Sequence, residues 1–168
     1  MDASEGKTIG VLFGEVSSSK EEVDFDDIIA NSNVPGNHGW SIEEAYMCVL
    51  LDAVWADDDA APEEKAYLAA LVKRCQTLRG KGANELARLN MTVMEKRQNQ
   101  PNYLANACEA LPSDIHKTLF AHAIDIVMAD GRLHPAEESF LEDLMERMRI
   151  SSDDVKKIMD VMLDKNRF

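Results

Sequence analysis

The sequence predicts an all-α fold of about seven helices, and three observations support this prediction. Apolar residues recur at helical spacing from residue 41 to residue 163. Aromatic residues make up only 6% of the chain while methionine occurs nine times, a balance that suits helices better than sheets. A helix–loop–helix segment also occurs twice, which indicates a domain built from two related halves.

The duplicated segment runs from residue 55 to residue 68 and again from residue 128 to residue 141. A constant offset of 73 aligns the two copies without a gap, so that Asp57 corresponds to Asp130 and Glu64 to Glu137. Chance identity of roughly 5–10% per position would give about two matches over this stretch. The identities observed are Asp52/Asp125, Val54/Val127, Ala56/Ala129, Asp57/Asp130, Pro62/Pro135, Glu64/Glu137, Leu68/Leu141, Leu71/Leu144 and Arg74/Arg147.

The chain divides into an N-terminal extension, residues 1–40, and a helical domain, residues 41–168, with repeats around 41–78 and 113–149. We expect the extension to be partly flexible, because three consecutive serines at 17–19 are typical of a linker. Within it, residues 8–13 suit either a short strand or a segment that docks on the domain. Residues 23–30 suit a short acidic helix.

The first repeat is predicted to begin at Ser41, which forms a capping box with Glu44. The helix over residues 42–56 is apolar almost all round, as expected of a helix at the centre of a bundle. Pro62 suits the first position of the next helix, which we expect to reach about residue 78. Gly80 and Gly82 then end it.

The remaining predicted helices are also bounded by prolines and by capping residues. A third helix is predicted over residues 83–99 and a short one between Pro101 and Pro112. Ser113 is expected to cap the first helix of the second repeat, and Pro135 to open its partner. Ser151 caps the last helix.

The charge and the cysteines limit the classes of function. A formal net charge of −13 disfavours binding to nucleic acid or to anionic lipid. No apolar run approaches the ~20 residues that span a bilayer, so membrane insertion is not expected. Cys48, Cys75 and Cys108 all fall inside predicted helices, which favours buried reduced thiols and a cytoplasmic protein.

Residues 73–97 are locally basic. They form either a solvated helix surface or a basic pole on an otherwise acidic protein.

Four acidic residues of the two repeats are the candidate metal ligands: Asp57, Glu64, Asp130 and Glu137. Each Asp is placed at the C-terminal end of a helix, where the helix dipole disfavours a carboxylate by about 0.3–1 kcal/mol. A cation ligand explains that position, and so does an Asp that structures its loop. Each Glu is the third residue of its helix, where it can cap its own helix, but it also continues the apolar core stripe. Such an oxygen-only site would suit Ca²⁺ or Mg²⁺.

Asp52 and Asp125 lie on otherwise apolar helices and are expected to be buried. Their partner would be the N-terminus of another helix or, as the alternative, a metal ion. The loops are not EF-hands, because the ligand spacing fails in both copies. No nucleophile, phosphate-binding or zinc-protease motif is present, so no catalytic residue is predicted. His134 is expected to cap a helix, and His122 to be a hydrogen-bonded core residue.

The residues around the loop of the second repeat resemble the motif of a known family. The run Ala129–Asp130–Gly131, followed by Pro135 and by Glu137–Glu138, is similar to the motif of the tellurite-resistance TerB family. It is also similar to the N-terminal domain of some membrane-bound DnaJ co-chaperones. The first repeat is a weaker copy, with Asp58 in place of the glycine and Lys65 in place of the second glutamate. The resemblance covers about residues 41–163.

The resemblance implies an all-α fold with two pseudo-twofold related hairpins, a divalent-cation site and a role in stress or chemical resistance. The expected function is a non-enzymatic cytoplasmic module that binds a divalent metal and unidentified protein partners. One alternative is a metal-free structural interaction domain, similar to the co-chaperones. A second alternative is a metal-assisted hydrolase, in which His134 is the sole candidate for a general base. Self-association is left open.

Overall fold

The computed structural model describes residues 39–167, and this part of the chain consists of seven α-helices with no strand. Residues 8–13, expected to form a short strand or a docking segment, and residues 23–30, expected to form a short acidic helix, lie outside the described residues. The helices are α1 Ile42–Val54, α2 Pro62–Arg74, α3 Ala83–Asn99, α4 Tyr103–Ala110, α5 Ser113–Val127, α6 Pro135–Arg147 and α7 Ser152–Arg167. The predicted all-α class is confirmed.

The two repeat-related helices α1 and α5 form the centre of the bundle. They pack against each other, α1 also contacts α2, α3 and α4, and α5 also contacts α2, α6 and α7. Ala45, Cys48 and Ala53 of α1 have no exposed surface, and neither have Leu119 and Ala123 of α5. Each of these two helices is apolar almost all round, and each is surrounded by other helices, as the sequence predicts.

Helix ends differ from the predicted bounds at two places. The helix α2 stops at Arg74, about four residues early, because Cys75 adopts an extended backbone with φ −66° and ψ 136°. The chain stays on the core beyond that point, since Cys75 and Leu78 are both buried. Apolar spacing alone therefore predicts too long a helix. The helix α1 ends at Val54, two residues before the predicted end.

The predicted caps are confirmed at two of three serines. The hydroxyl of Ser41 accepts from the Glu44 N–H at 3.2 Å, and the Glu44 carboxylate accepts from the Ser41 N–H at 2.8 Å. The Ser151 hydroxyl accepts from the Asp154 N–H at 3.2 Å. The predicted Ser113 cap is wrong: Ser113 is already the first helical residue, and no side chain caps α5 at that point.

Basic side chains near and on α3 hold that helix against α1. Lys81 pairs with Glu43 at 2.9 Å, and Lys96 pairs with Glu44 at 2.5 Å. Part of the basic stretch is therefore a set of contacts between helices rather than a solvated surface. Among the described helices, none combines the length and apolar character needed to cross a membrane.

Candidate functional site

The loops that join each helical hairpin have the same local geometry in both repeats. Asp57 accepts a hydrogen bond from the Asp59 N–H at 3.0 Å, and Asp130 accepts one from the Arg132 N–H at 2.8 Å. Each Asp thus closes a turn on its own backbone, as a loop-structuring Asp does. This contact explains why an Asp follows each helix, without a cation.

The two repeat glutamates cap their helices. The Ala61 N–H donates to Glu64 at 2.9 Å, and the His134 N–H donates to Glu137 at 2.6 Å. His134 is itself a cap, since its Nδ1 accepts from the Ala136 N–H at 3.2 Å. Both glutamates are also buried, with Glu64 2% and Glu137 3% exposed. The capping role and the inward orientation predicted from the core stripe are therefore both present.

The same two glutamates meet at the junction of the repeats, where they share a side-chain hydrogen bond. The pKa of Glu64 is raised to about 7, mainly by burial. The hydrogen bond and charge of Glu137 and the charge of Asp57 raise the pKa further. The hydrogen bond from the Ala61 N–H lowers it. Two carboxylates in contact repel each other, so Glu64 holds its proton to a higher pH than an isolated glutamate does. The N-termini of α2 and α6 are thus joined by a carboxyl–carboxylate contact.

The four predicted metal ligands are brought together in part. Glu64 and Glu137 touch, and Asp57 lies close enough for its charge to act on Glu64. Asp130 is engaged with its own loop. Within residues 39–167 no group of three or more His, Cys, Asp or Glu side chains has the arrangement of a metal centre. A site for Ca²⁺ or Mg²⁺ formed by all four residues stays a prediction.

Asp52 is buried and pairs with a cation from α3, the helix that follows its repeat. Its carboxylate lies 2.7 Å from Arg97 of α3 and hydrogen-bonds Tyr103 of α4. Burial raises the pKa of Asp52, and the Arg97 charge and the Tyr103 hydrogen bond only partly oppose that effect. The expected helix N-terminus as its partner is therefore wrong.

Asp125, the equivalent residue of the second repeat, also has a tyrosine and a cation as partners. Its carboxylate accepts from the Tyr67 hydroxyl and from the Lys165 ammonium of α7, each at 2.5 Å. Here too the helix that follows the repeat supplies the cation, and the expected helix N-terminus is wrong. Nothing in the local sequence signals these partners, because Lys165 lies 40 residues away along the chain.

His122 is a core residue, as predicted. Its Nδ1 lies 2.7 Å from the Tyr46 hydroxyl, and the two rings meet edge to face. Burial lowers the pKa of His122, and burial raises the pKa of Tyr46. The pair is therefore neutral near pH 7 and satisfies two polar groups inside the bundle.

The comparisons with known proteins agree with the repeat motif. Neither a curated protein nor a solved structure matches the chain. The family described as "Tellurite resistance protein TerB" matches residues 43–160, which includes both duplicated segments. The duplicated Asp and Glu positions and the loops of both hairpins lie within that match, and the chain belongs to the TerB family.

Proposed function

We propose that this TerB domain is a non-enzymatic cytoplasmic interaction module whose repeat junction binds a divalent cation. The observation that carries the proposal is the buried contact between Glu64 and Glu137, with the charge of Asp57 beside it. The junction concentrates negative charge where little water can screen it, so it favours either a proton or a metal ion.

The donor set suits a hard cation. Glu64, Glu137 and Asp57 offer only carboxylate oxygens, which are the ligands that Ca²⁺ and Mg²⁺ prefer. A bound cation would supply the positive charge that the retained proton otherwise supplies. Uptake of the cation would therefore release that proton and strengthen the contact between the two hairpins.

A metal-free structural module is the second candidate, and a separate observation favours it. Each glutamate already accepts a hydrogen bond from the backbone N–H of its N-cap residue. In this alternative the carboxyl pair serves only as two helix caps that touch.

Two further observations support a non-enzymatic protein in a reducing compartment. His134, the one candidate general base near the acidic residues, uses its Nδ1 to cap α6. Cys48, Cys75 and Cys108 are buried free thiols, a pattern typical of proteins that do not rely on disulfides.

The test is thermal unfolding of the full chain in EDTA and in millimolar Ca²⁺, Mg²⁺, Mn²⁺ or Zn²⁺. Under the metal proposal Ca²⁺ or Mg²⁺ raises the melting temperature, by an amount equivalent to ~2.7 kcal/mol at a hundredfold excess over the dissociation constant. Glu64→Gln and Glu137→Gln should each weaken that rise. Glu142→Gln, an exposed acid on α6, is the matched control. Identical melting in all four metals and in EDTA would leave the metal-free module.

The non-enzymatic part has its own assay. Phosphatase, nuclease and esterase substrates should show no turnover, with or without Mg²⁺, Mn²⁺ or Zn²⁺. Turnover that disappears in Glu64→Gln or Glu137→Gln would overturn it.

A further inference from the structure

The contact between Glu64 and Glu137 also brings the two hairpin loops to one end of the bundle. The loops, residues 55–61 and 128–134, directly precede α2 and α6. We call the exposed charged and large apolar side chains of these loops and of the first helical turns after them the loop surface. Its members are Trp55, Asp58, Asp59, Glu63, Lys65, Asp130, Arg132, Leu133 and Glu138.

Two large apolar side chains of the loop surface are exposed to solvent. Trp55 is 46% exposed and Leu133 is 39% exposed. Trp is the residue most enriched among side chains that dominate binding at interfaces, and a half-exposed Trp at a loop is available for such contact.

The acidic residues of the loop surface lack opposite partners within the described residues. Asp58, Asp59, Glu63, Asp130 and Glu138 are all exposed. The ion pairs of the described chain join other residues: Glu43, Glu44, Asp52, Asp125, Asp143 and Asp154. The loop surface is therefore net negative, and its carboxylates form no ion pair within the described residues although Lys65 and Arg132 also belong to it.

The Trp55 ring already carries a cation. The Lys65 ammonium lies 5.5 Å from the centre of the ring, at the distance of a cation–π contact. This intramolecular contact indicates which chemistry the indole face accepts. A cation from a partner would compete with Lys65 for the same face.

We propose that the loop surface docks a basic segment of a partner protein, with an Arg or Lys of that segment stacked on Trp55. The remaining cations of the segment pair with the loop carboxylates, and its apolar side chains contact Leu133. A second copy of this chain is a poor occupant, because two such surfaces would repel each other. The inference rests on the proposed interaction role and names the chemistry of the partner.

The experiment measures binding of a short fluorescein-labelled peptide of alternating Arg and Leu to the full chain, by anisotropy in EDTA. A peptide with Glu in place of Arg is the charge control and should not bind. Trp55→Ala should weaken binding about tenfold, the size of a single dominant interface side chain. Met91→Ala, which removes a more exposed apolar side chain on α3, should leave binding unchanged. Lys65→Ala should tighten binding, because it removes both the competing ammonium and a positive charge.

Charge variants separate the loop surface from general attraction to an acidic protein. Asp58→Asn with Asp59→Asn should weaken binding more than Glu142→Gln with Glu146→Gln, which removes equal charge from an exposed part of α6. Equal weakening by both double variants, or full binding by Trp55→Ala, would overturn the proposal. A dimer of the free protein that Trp55→Ala dissociates would overturn it too, by assigning the surface to a second copy.

The EDTA condition keeps this test separate from the metal proposal. Absence of peptide binding together with Ca²⁺-dependent melting would overturn the docking surface alone. Peptide binding with metal-independent melting would support the surface and contradict only the cation.

Discussion

Asp58 and Gly131 occupy equivalent positions in the two repeats, and both adopt a left-handed backbone, with φ of +64° and +80°. Glycine reaches this conformation without steric cost, whereas a residue with a Cβ is strained there. The first repeat therefore retains the loop geometry of the second although it lacks the glycine. The two loops share the same left-handed backbone conformation, and this conformation strains the backbone at Asp58.

Asp58→Gly should stabilise the fold. Relief of about 1 kcal/mol of left-handed strain is partly offset by the greater freedom of glycine in the unfolded chain, which leaves a gain of about 0.5 kcal/mol. Gly131→Ala should cost about 1–2 kcal/mol by backbone strain alone, since a Cβ at Gly131 meets no atom within 4 Å. Urea unfolding measures both. Asp59→Gly is the control, because Asp59 is not among the positive-φ residues, and it should destabilise.

The two buried aspartates should differ in how much they depend on their cations. Arg97→Met leaves Asp52 buried with only Tyr103 as a partner, and loss of a buried partner costs about 3–5 kcal/mol. Lys165→Met should cost less, because the Lys165 side chain is 51% exposed and Tyr67 still donates to Asp125. Chemical unfolding ranks the two variants. A larger loss for Lys165→Met would contradict the importance assigned to the Asp52–Arg97 pair.

The sequence predicts the parts of this fold that follow from local pattern. The constant offset between repeats locates both hairpins, and the spacing of Glu64 along the apolar stripe of α2 predicts that it points inward. Caps at Ser41 and Ser151 follow from capping residues three positions apart.

Contacts between distant helices could not be predicted in the same way. Arg97 and Lys165 have no local feature that marks them as partners of buried aspartates, and either could have remained on a solvated face. The direct contact of Glu64 with Glu137 likewise depends on how α2 and α6 approach each other. Their equivalence in the repeat shows that they are related by symmetry, but not that they touch.

The thiols should be inert in the native protein. Burial is the main cause of the raised pKa values of Cys48 and Cys108, and the pKa of Cys108 is about 12. Cys75 is also buried. We expect no reaction with Ellman's reagent at pH 8 until the protein is unfolded, when three thiols should react. Rapid reaction of any one thiol in the native state would contradict this burial.

The stability that Glu64 contributes should fall as the pH rises from about 4.5 through about 7. The pKa of Glu64 is raised in the folded state from 4.5 to about 7, so across this window the folded chain binds more protons than the unfolded chain. The effect is complete about one pH unit above the raised pKa, where the folded chain has also lost this proton. His122 acts in the opposite direction, since its lowered pKa favours the unfolded state as the pH falls below 6.5.

Comparison with Glu64→Gln isolates the carboxyl pair from the other titrating groups. The difference in unfolding free energy between the native chain and Glu64→Gln, measured in EDTA, should move in favour of Glu64→Gln between pH 5 and pH 7.5, as expected from the raised pKa. Two parallel profiles would show that Glu64 titrates alike in the folded and unfolded chains.

The repeats meet at two buried glutamates, and the contact with Glu137 helps to hold the proton of Glu64 to a higher pH than in an isolated glutamate. The most direct measurement is a ¹³C NMR titration of the Glu64 carboxyl carbon in metal-free protein. We predict a midpoint near 7, and a lower midpoint in Glu137→Gln, where the neighbouring negative charge is gone. A midpoint at the ordinary glutamate value of 4.5, unchanged by Glu137→Gln, would contradict the pairing.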